Sequence, residues 1–188
     1  MATLERSGEV RWGRDGEHPY AVELSADFVL GVKWPVYWRY LDLLPRTKFL
    51  VCVRHPVEVI ASFAGTAGRL GQGLDYDIPF NREMNDHLLA STDDPAVRRT
   101  LLFEYVAARI APHLADPNVF VVPYERWFTD RDGLMTDIGG FLGADLGAGA
   151  PEIRRARSMH LEPELVELVE RYCPSAASLG YEVRVPAI

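Results

Sequence analysis

The stretch FLVCVRHPVEVIASF, residues 49–63, joins a short apolar run to an amphipathic segment through an arginine and a proline. The run Lys48–Val53 is brief and uniformly apolar, which is typical of a strand covered on both faces in a parallel sheet. Pro56 suits the first turn of a helix, and apolar residues then recur on one face as far as Ala64. The stretch therefore predicts a strand, a short turn that contains Arg54, and a helix over 56–64.

Two further apolar runs predict strands on either side of this unit. Phe28–Val32 ends at Lys33, and Asn118–Val122 runs into Tyr124. Helical spacing of apolar residues lies between and after these runs, over Val36–Leu44, Arg82–Asp116 with a break at 93–95, Met135–Leu142 and Glu164–Tyr172. Strands separated by helices predict an α/β fold in which helices flank a parallel β-sheet. Ligands of such sheets bind at the carboxyl ends of the strands, where Lys33, Arg54 and Tyr124 all fall.

The composition limits the classes of partner. A chain of 188 residues fits one domain, so we expect a single domain over residues 1–188. The net charge of −7 argues against nucleic acid or an acidic membrane surface, because both reward a broad positive face. No window holds the roughly 18 apolar residues of a membrane span. The two cysteines, Cys52 and Cys173, give no disulfide framework or metal spacing. We expect a cytoplasmic protein without a membrane partner.

An arginine at the end of a buried strand lies where the next helix directs its free N–H groups. The Arg54 guanidinium and the helix N-terminus together would bind a phosphate, and Ser62 would reach the same anion if the ligand lay along the helix. The alternative is that Arg54 pairs with an acidic neighbour such as Glu58 or Glu125, and that Ser62 is only a small surface residue.

The spacing of Arg54, Pro56 and Ser62 after KFLVCV resembles the 3′-phosphate-binding motif of the sulfotransferase family. Further segments match in the same order: GVKWP at 31–35, VFVVPYERW at 119–127, FLGA at 141–144 and SLGY at 178–181. The last two are similar to the bacterial branch of that family. The resemblance spans residues 28–181.

This resemblance implies a P-loop-NTPase-like fold and a donor, 3′-phosphoadenosine 5′-phosphosulfate (PAPS). It implies that Arg54 and Ser62 bind the 3′-phosphate, that Tyr124 contacts the adenosine, and that Lys33 lies near the transferring sulfuryl group. The acceptor would be a hydroxyl or amine of a small molecule, and the chemistry needs no metal because a lysine ammonium stabilises the developing charge. On the residues alone, the alternatives are that Lys33 is a surface lysine at a strand end and that Tyr124 is a core tyrosine with a solvated hydroxyl.

The sequence departs from the family pattern in its N-terminal part. The only candidate for the 5′-phosphosulfate loop is Arg6–Gly8, with no strand expected before it and no helix after it. Pro35 occupies the position where many relatives carry a catalytic histidine. Candidates for the base are His18, Glu23 and His55. The basic cluster Arg154, Arg155 and Arg157 would supply extra phosphate contacts or, alternatively, a solvated face.

Two functional hypotheses follow. The first is a sulfotransferase; the second is a truncated or non-catalytic relative that serves as a nucleotide-binding or interaction module. A small kinase is disfavoured because no Gly-x-x-x-x-Gly-Lys-Ser/Thr loop is present.

The stretch 65–77 holds four glycines and predicts a mobile loop. A strand missing from the sheet would leave an unpaired edge, which predicts a homo-oligomer.

Overall fold

The computed structural model describes residues 2–4, 9–12, 19–21, 37–146 and 162–182. The chain divides into two compact units, Met1–Lys33 and Trp34–Ile188. That the two units form a single domain stays a prediction. The predicted strand Phe28–Val32 lies outside the described residues.

Three short strands are described in the first unit: β1 (Ala2–Leu4), β2 (Glu9–Trp12) and β3 (Pro19–Ala21). They pair antiparallel in the order β1-β2-β3. In β2, apolar Val10 and Trp12 alternate with charged residues, as expected for a strand. The expectation that no strand precedes Arg6–Gly8 is therefore wrong. The chain after it returns as β2 instead of entering a helix, and a phosphate loop needs a strand followed by a helix.

The sheet of the second unit pairs β4 (Phe49–Val53) with β5 (Val119–Pro123) in parallel. The register sets Phe49 opposite Val119 and Val53 opposite Pro123. Both strands occur where the sequence predicts them, each within one residue. The chain leaves β4 through Arg54 and His55 and enters α1 (Pro56–Ala64), whose bounds match the predicted helix.

Six helices are present in the described part of the chain, and with β4 and β5 they make a mixed α/β unit. After α1 come α2 (Arg82–Ser91), α3 (Pro95–Ile110), α4 (Arg126–Thr129), α5 (Arg131–Leu142) and α6 (Pro163–Tyr172). The predicted break at 93–95 is confirmed, because the Asp94 side chain accepts from Ala96 N–H and caps α3. Gly143, with φ of +72°, ends α5 as expected. None of the described helices is long and apolar enough to cross a membrane.

The predicted helix Val36–Leu44 is shorter in the structure. Only a 3₁₀ turn over Tyr37–Tyr40 forms, and the Tyr40 carbonyl then accepts from the N–H groups of Leu43 and Leu44. Leu43 and Leu44 are 68% and 41% exposed. A longer helix would therefore gain little stability from packing these side chains against the core.

Helices α1 and α6 share the core that supports the Arg54 turn. Val57 and Ile60 of α1 pack in one buried cluster with Val166 and Val169 of α6. The alternation of side chains along β4 leaves its other face open, where Leu50 is 42% exposed. The prediction that both faces of this strand are covered is therefore wrong for β4, although Val122, opposite Cys52 in β5, is buried against Leu134 and Ile138 of α5.

The glycine-rich stretch 65–77, which its composition predicts to be a mobile loop, contacts α3 over residues 71–73. Arg98 Nη1 donates to the Gln72 carbonyl at 3.0 Å and Arg99 Nη1 to the Gly71 carbonyl at 2.8 Å. Gly73 has φ of +74°, and a Cβ there would lie 2.6 Å from the Arg99 nitrogen. Because glycine has no side chain, the loop backbone at Gly73 can approach α3 closely.

We expect Ile60→Ala to lower the free energy of unfolding by about 2–5 kcal/mol, because Ile60 is 0% exposed and its loss leaves a cavity. Leu50→Ala removes a similar side chain from the open face of β4 and should cost less than about 1 kcal/mol. Urea unfolding of both variants measures the difference. Equal losses would contradict the burial of Ile60 and the exposure of Leu50.

Candidate functional site

The parallel pairing of β4 with β5 brings two of the predicted site residues together. Because Val53 lies opposite Pro123, the next residues, Arg54 and Tyr124, leave the sheet side by side. The Tyr124 N–H donates to the Val53 carbonyl at 2.8 Å. The guanidinium carbon of Arg54 lies 4.6 Å from the centre of the Tyr124 ring, a cation–π contact.

The Arg54 side chain also forms an ion pair with Glu58, one turn into α1. Arg54 Nε donates to Glu58 Oε2 at 2.7 Å, and the two side chains are 22% and 20% exposed. The acidic-neighbour alternative is thus found for Glu58. The pair uses only Nε, and no described residue accepts a hydrogen bond from Nη1 or Nη2. Four N–H bonds of the guanidinium therefore stay open to an anion.

Ser62 is not brought into contact with Arg54. It is exposed on α1, and its hydroxyl donates to the Val59 carbonyl of the same helix at 2.6 Å. To donate to a phosphate, the hydroxyl would have to leave Val59. Its contribution to an anion site would therefore be smaller than that of Arg54.

Several other predicted site residues lie outside the described residues. These are Lys33, Pro35, the base candidates His18 and Glu23, the loop candidate Arg6–Gly8, and the basic cluster Arg154, Arg155 and Arg157. The remaining base candidate, His55, occupies the N-cap position of α1, but its side chain makes no capping hydrogen bond. Its Nδ1 is buried without a hydrogen-bond partner. A substrate that accepts a sulfuryl group could therefore not reach this nitrogen to give up its proton.

Glu125 fixes the turn between β4 and α1. Its Oε1 accepts the His55 backbone N–H at 3.3 Å, and its Oε2 accepts the Tyr181 hydroxyl at 2.8 Å. The Tyr181 ring lies edge-on to the His55 ring, with centres 5.6 Å apart. The proposed pair of Arg54 with Glu125 is not found, because both oxygens of Glu125 are engaged elsewhere.

Tyr181 is held as a neutral hydrogen-bond donor. Burial is the main cause that raises the pKa of its hydroxyl, and the hydrogen bond to Glu125 raises it further. The negative charges of Glu125 and Glu58 act in the same direction, while Arg54 opposes them. Sequence reasoning matched the SLGY segment but assigned Tyr181 no role, since nothing local indicates where its hydroxyl goes.

No family model matches the chain, and no curated protein or solved structure matches it either. Membership of the sulfotransferase family stays a prediction that rests on the quoted residues. Within the described ranges, no group of three or more histidine, cysteine, aspartate and glutamate side chains is placed to hold a metal ion.

We expect Tyr181→Phe to reduce the loss of stability at alkaline pH. The folded protein holds the Tyr181 proton more tightly than the unfolded chain does, because the pKa is raised. Its stabilisation is complete below the ordinary tyrosine pKa of about 10 and is lost as pH rises through the raised value. The variant should therefore release about one proton fewer on unfolding above pH 10.

Urea unfolding between pH 8 and 11 measures this difference. Burial also raises the pKa of the Cys173 thiol, to about 12, and this adds to the pH dependence of both proteins equally. Tyr76→Phe makes the same chemical change at a tyrosine that is 49% exposed. An identical pH dependence in the wild type and Tyr181→Phe would contradict the assigned environment of Tyr181.

Proposed function

We propose that the chain binds a 3′-phosphorylated adenine nucleotide at the carboxyl ends of β4 and β5, as a sulfotransferase-like protein that uses PAPS. The observation that carries this proposal is the Arg54 guanidinium, which lies against the Tyr124 ring and keeps both terminal nitrogens free of hydrogen bonds to described residues. Hydrogen-bond donors for an anion and an aromatic surface are thus adjacent.

The proposed phosphate position is favoured by the start of α1 as well. Arg54 precedes this helix by two residues, and no side chain caps its first turn. Each charge-assisted hydrogen bond from the guanidinium would contribute about 1.5–3 kcal/mol, whereas the helix dipole adds about 0.3–1 kcal/mol. Arg54 would therefore provide most of the affinity, and the helix would orient the phosphate.

Tyr124 would support the nucleoside next to this phosphate. Its ring already contacts Arg54 and lies edge-on to Phe128, with centres 5.2 Å apart. These contacts fix the ring orientation, and a fixed aromatic ring contributes about 1–3 kcal/mol when a base stacks on it. A nucleotide with phosphate on Arg54 and adenosine near Tyr124 would satisfy both groups.

The reaction would move a sulfuryl group. An acceptor oxygen or nitrogen would bond to the sulfur of PAPS while the bond from sulfur to the 5′-phosphate oxygen breaks. The acceptor would lose its proton to a base, and 3′,5′-adenosine diphosphate would leave. Lys33 would stabilise the negative charge that develops on the leaving oxygen. The acceptor would be a small molecule, and no metal is required.

A second candidate, a nucleotide-binding module without catalysis, is favoured by one observation. The strand before Arg6–Gly8, β1, is followed by the antiparallel strand β2, whereas a 5′-phosphosulfate loop needs a helix at that position. Sulfuryl transfer from radiolabelled PAPS to a panel of hydroxyl and amine acceptors separates the two candidates. Nucleotide binding without any transfer would favour the module.

We expect Arg54→Ala to weaken binding of 3′,5′-adenosine diphosphate at least tenfold, because it removes the charge-assisted hydrogen bonds. Ser62→Ala should cost less, since its hydroxyl is already bonded to Val59. Arg109→Ala is the matched control, because Arg109 also lies over a tyrosine, Tyr105, but on α3.

Calorimetric titration with this nucleotide and with adenosine 5′-monophosphate measures both affinity and selectivity. The wild type should prefer the 3′-phosphorylated nucleotide. Equal affinity of the wild type for both nucleotides would refute the proposed function. An affinity that Arg54→Ala leaves unchanged would place the phosphate elsewhere.

We expect Glu58→Gln to tighten binding of the same nucleotide by about fivefold. The amide oxygen can still accept from Arg54 Nε, while the removed charge would have cost on the order of 1 kcal/mol near a phosphate. Glu167→Gln, at an exposed position of α6, controls for the change in net charge. Weaker binding by Glu58→Gln would contradict this expectation and would mean that the charged Arg54–Glu58 pair is needed to hold the guanidinium for binding.

A further inference from the structure

The segment after α6 is anchored on α3 at its base. Ser175 donates from its hydroxyl to Glu104 Oε1 at 2.6 Å and from its backbone N–H to Oε2 at 3.1 Å. Ala176, the next residue, is buried beside α1 and α6. The start of the SLGY segment is therefore fixed relative to the core.

Gly180 then turns the chain. It has φ of +87°, its N–H donates to the Ala177 carbonyl, and the Tyr181 N–H donates to the Ala176 carbonyl at 3.1 Å. This is the arrangement of a helix end closed by a left-handed glycine. A Cβ on Gly180 would meet nothing within 4 Å, so the glycine is required for its backbone conformation.

The turn delivers Tyr181 to the residues around Arg54. Its hydroxyl donates to Glu125 Oε2, and Glu125 Oε1 accepts the N–H of His55, the residue after Arg54. Three separate segments meet here: the end of β4, the end of β5, and SLGY. The charge of Arg54 also acts on the Tyr181 hydroxyl, so the two side chains belong to one electrostatic cluster.

We propose that Tyr181 is a positioning residue for the anion site at Arg54. By occupying one oxygen of Glu125, it keeps that carboxylate on the His55 N–H and away from the free nitrogens of Arg54. The turn that carries Arg54 is thereby held, and the guanidinium stays open to an anion. Tyr181 acts through Glu125 and does not touch the ligand. The identity of the ligand rests on the proposed function.

The first test is the binding of 3′,5′-adenosine diphosphate and adenosine 5′-monophosphate to Tyr181→Phe. Without its hydroxyl, Glu125 becomes free to pair with Arg54, so affinity for the 3′-phosphorylated nucleotide should fall about tenfold and selectivity should fall with it. Tyr76→Phe should leave both unchanged. The double variant Glu125→Gln, Tyr181→Phe should lose less binding free energy for the 3′-phosphorylated nucleotide than the sum of the two single variants, because both changes act on one hydrogen bond.

The second test uses the backbone. Gly180→Ala strains the turn that places Tyr181, and Gly68→Ala applies the same strain at φ of +89°, also with no atom within 4 Å of the added Cβ. Only Gly180→Ala should reduce nucleotide selectivity. If both glycine variants lower the thermal midpoint and neither changes selectivity, SLGY is structural and the proposal is overturned.

The third test needs no nucleotide. Hydrogen–deuterium exchange over residues 54–59 should be faster in Tyr181→Phe and Gly180→Ala than in the wild type and both controls, because the His55 N–H loses its fixed acceptor. Unchanged exchange would overturn the positioning role. If the wild type shows no preference for the 3′-phosphorylated nucleotide, the proposed function fails, and exchange alone decides whether Tyr181 holds the turn.

Discussion

The hydrogen bond from the Tyr124 N–H to the Val53 carbonyl extends the parallel pairing of β4 and β5 one residue past the strands. The arrangement of the candidate site depends on it. It fixes the two chain exits next to each other, so that Arg54 meets the Tyr124 ring and the following residue, His55, meets Glu125. Since α1 starts directly after this turn, its packing against α6 also supports the position of the guanidinium.

The charge balance of the site explains why its neutral groups matter. One guanidinium, Arg54, lies among two carboxylates, Glu58 and Glu125, so these three side chains carry a net negative charge. A carboxylate that paired with the terminal nitrogens of Arg54 would occupy the donors that an anion needs. Glu58 is engaged by Nε alone, and Glu125 is engaged by a backbone N–H and by the Tyr181 hydroxyl. These hydrogen bonds direct both carboxylates away from the terminal nitrogens of Arg54.

Local sequence patterns were sufficient for β4, α1, β5 and the capped break before α3, because each is set by apolar spacing and by a proline, glycine or aspartate at its end. They also placed Arg54 beside Tyr124, since neighbouring parallel strands share one edge. Tyr181 could not be assigned in this way. Its partner lies 56 residues earlier in the chain, and only the tertiary fold brings the two together. The contact of the glycine-rich stretch with α3 could not be read locally either, because glycine accompanies both mobility and close packing.

The close approach of Gly73 to α3 has a consequence for how this protein can diverge. Any side chain at position 73 would collide with the backbone of Arg98 and Arg99, so this loop glycine is constrained as tightly as a core residue. Gly68, nearby in the same loop, has open space and only a backbone preference, which asparagine or aspartate also meets. Replacement during evolution should therefore be frequent at 68 and rare at 73, although both belong to one glycine-rich surface stretch.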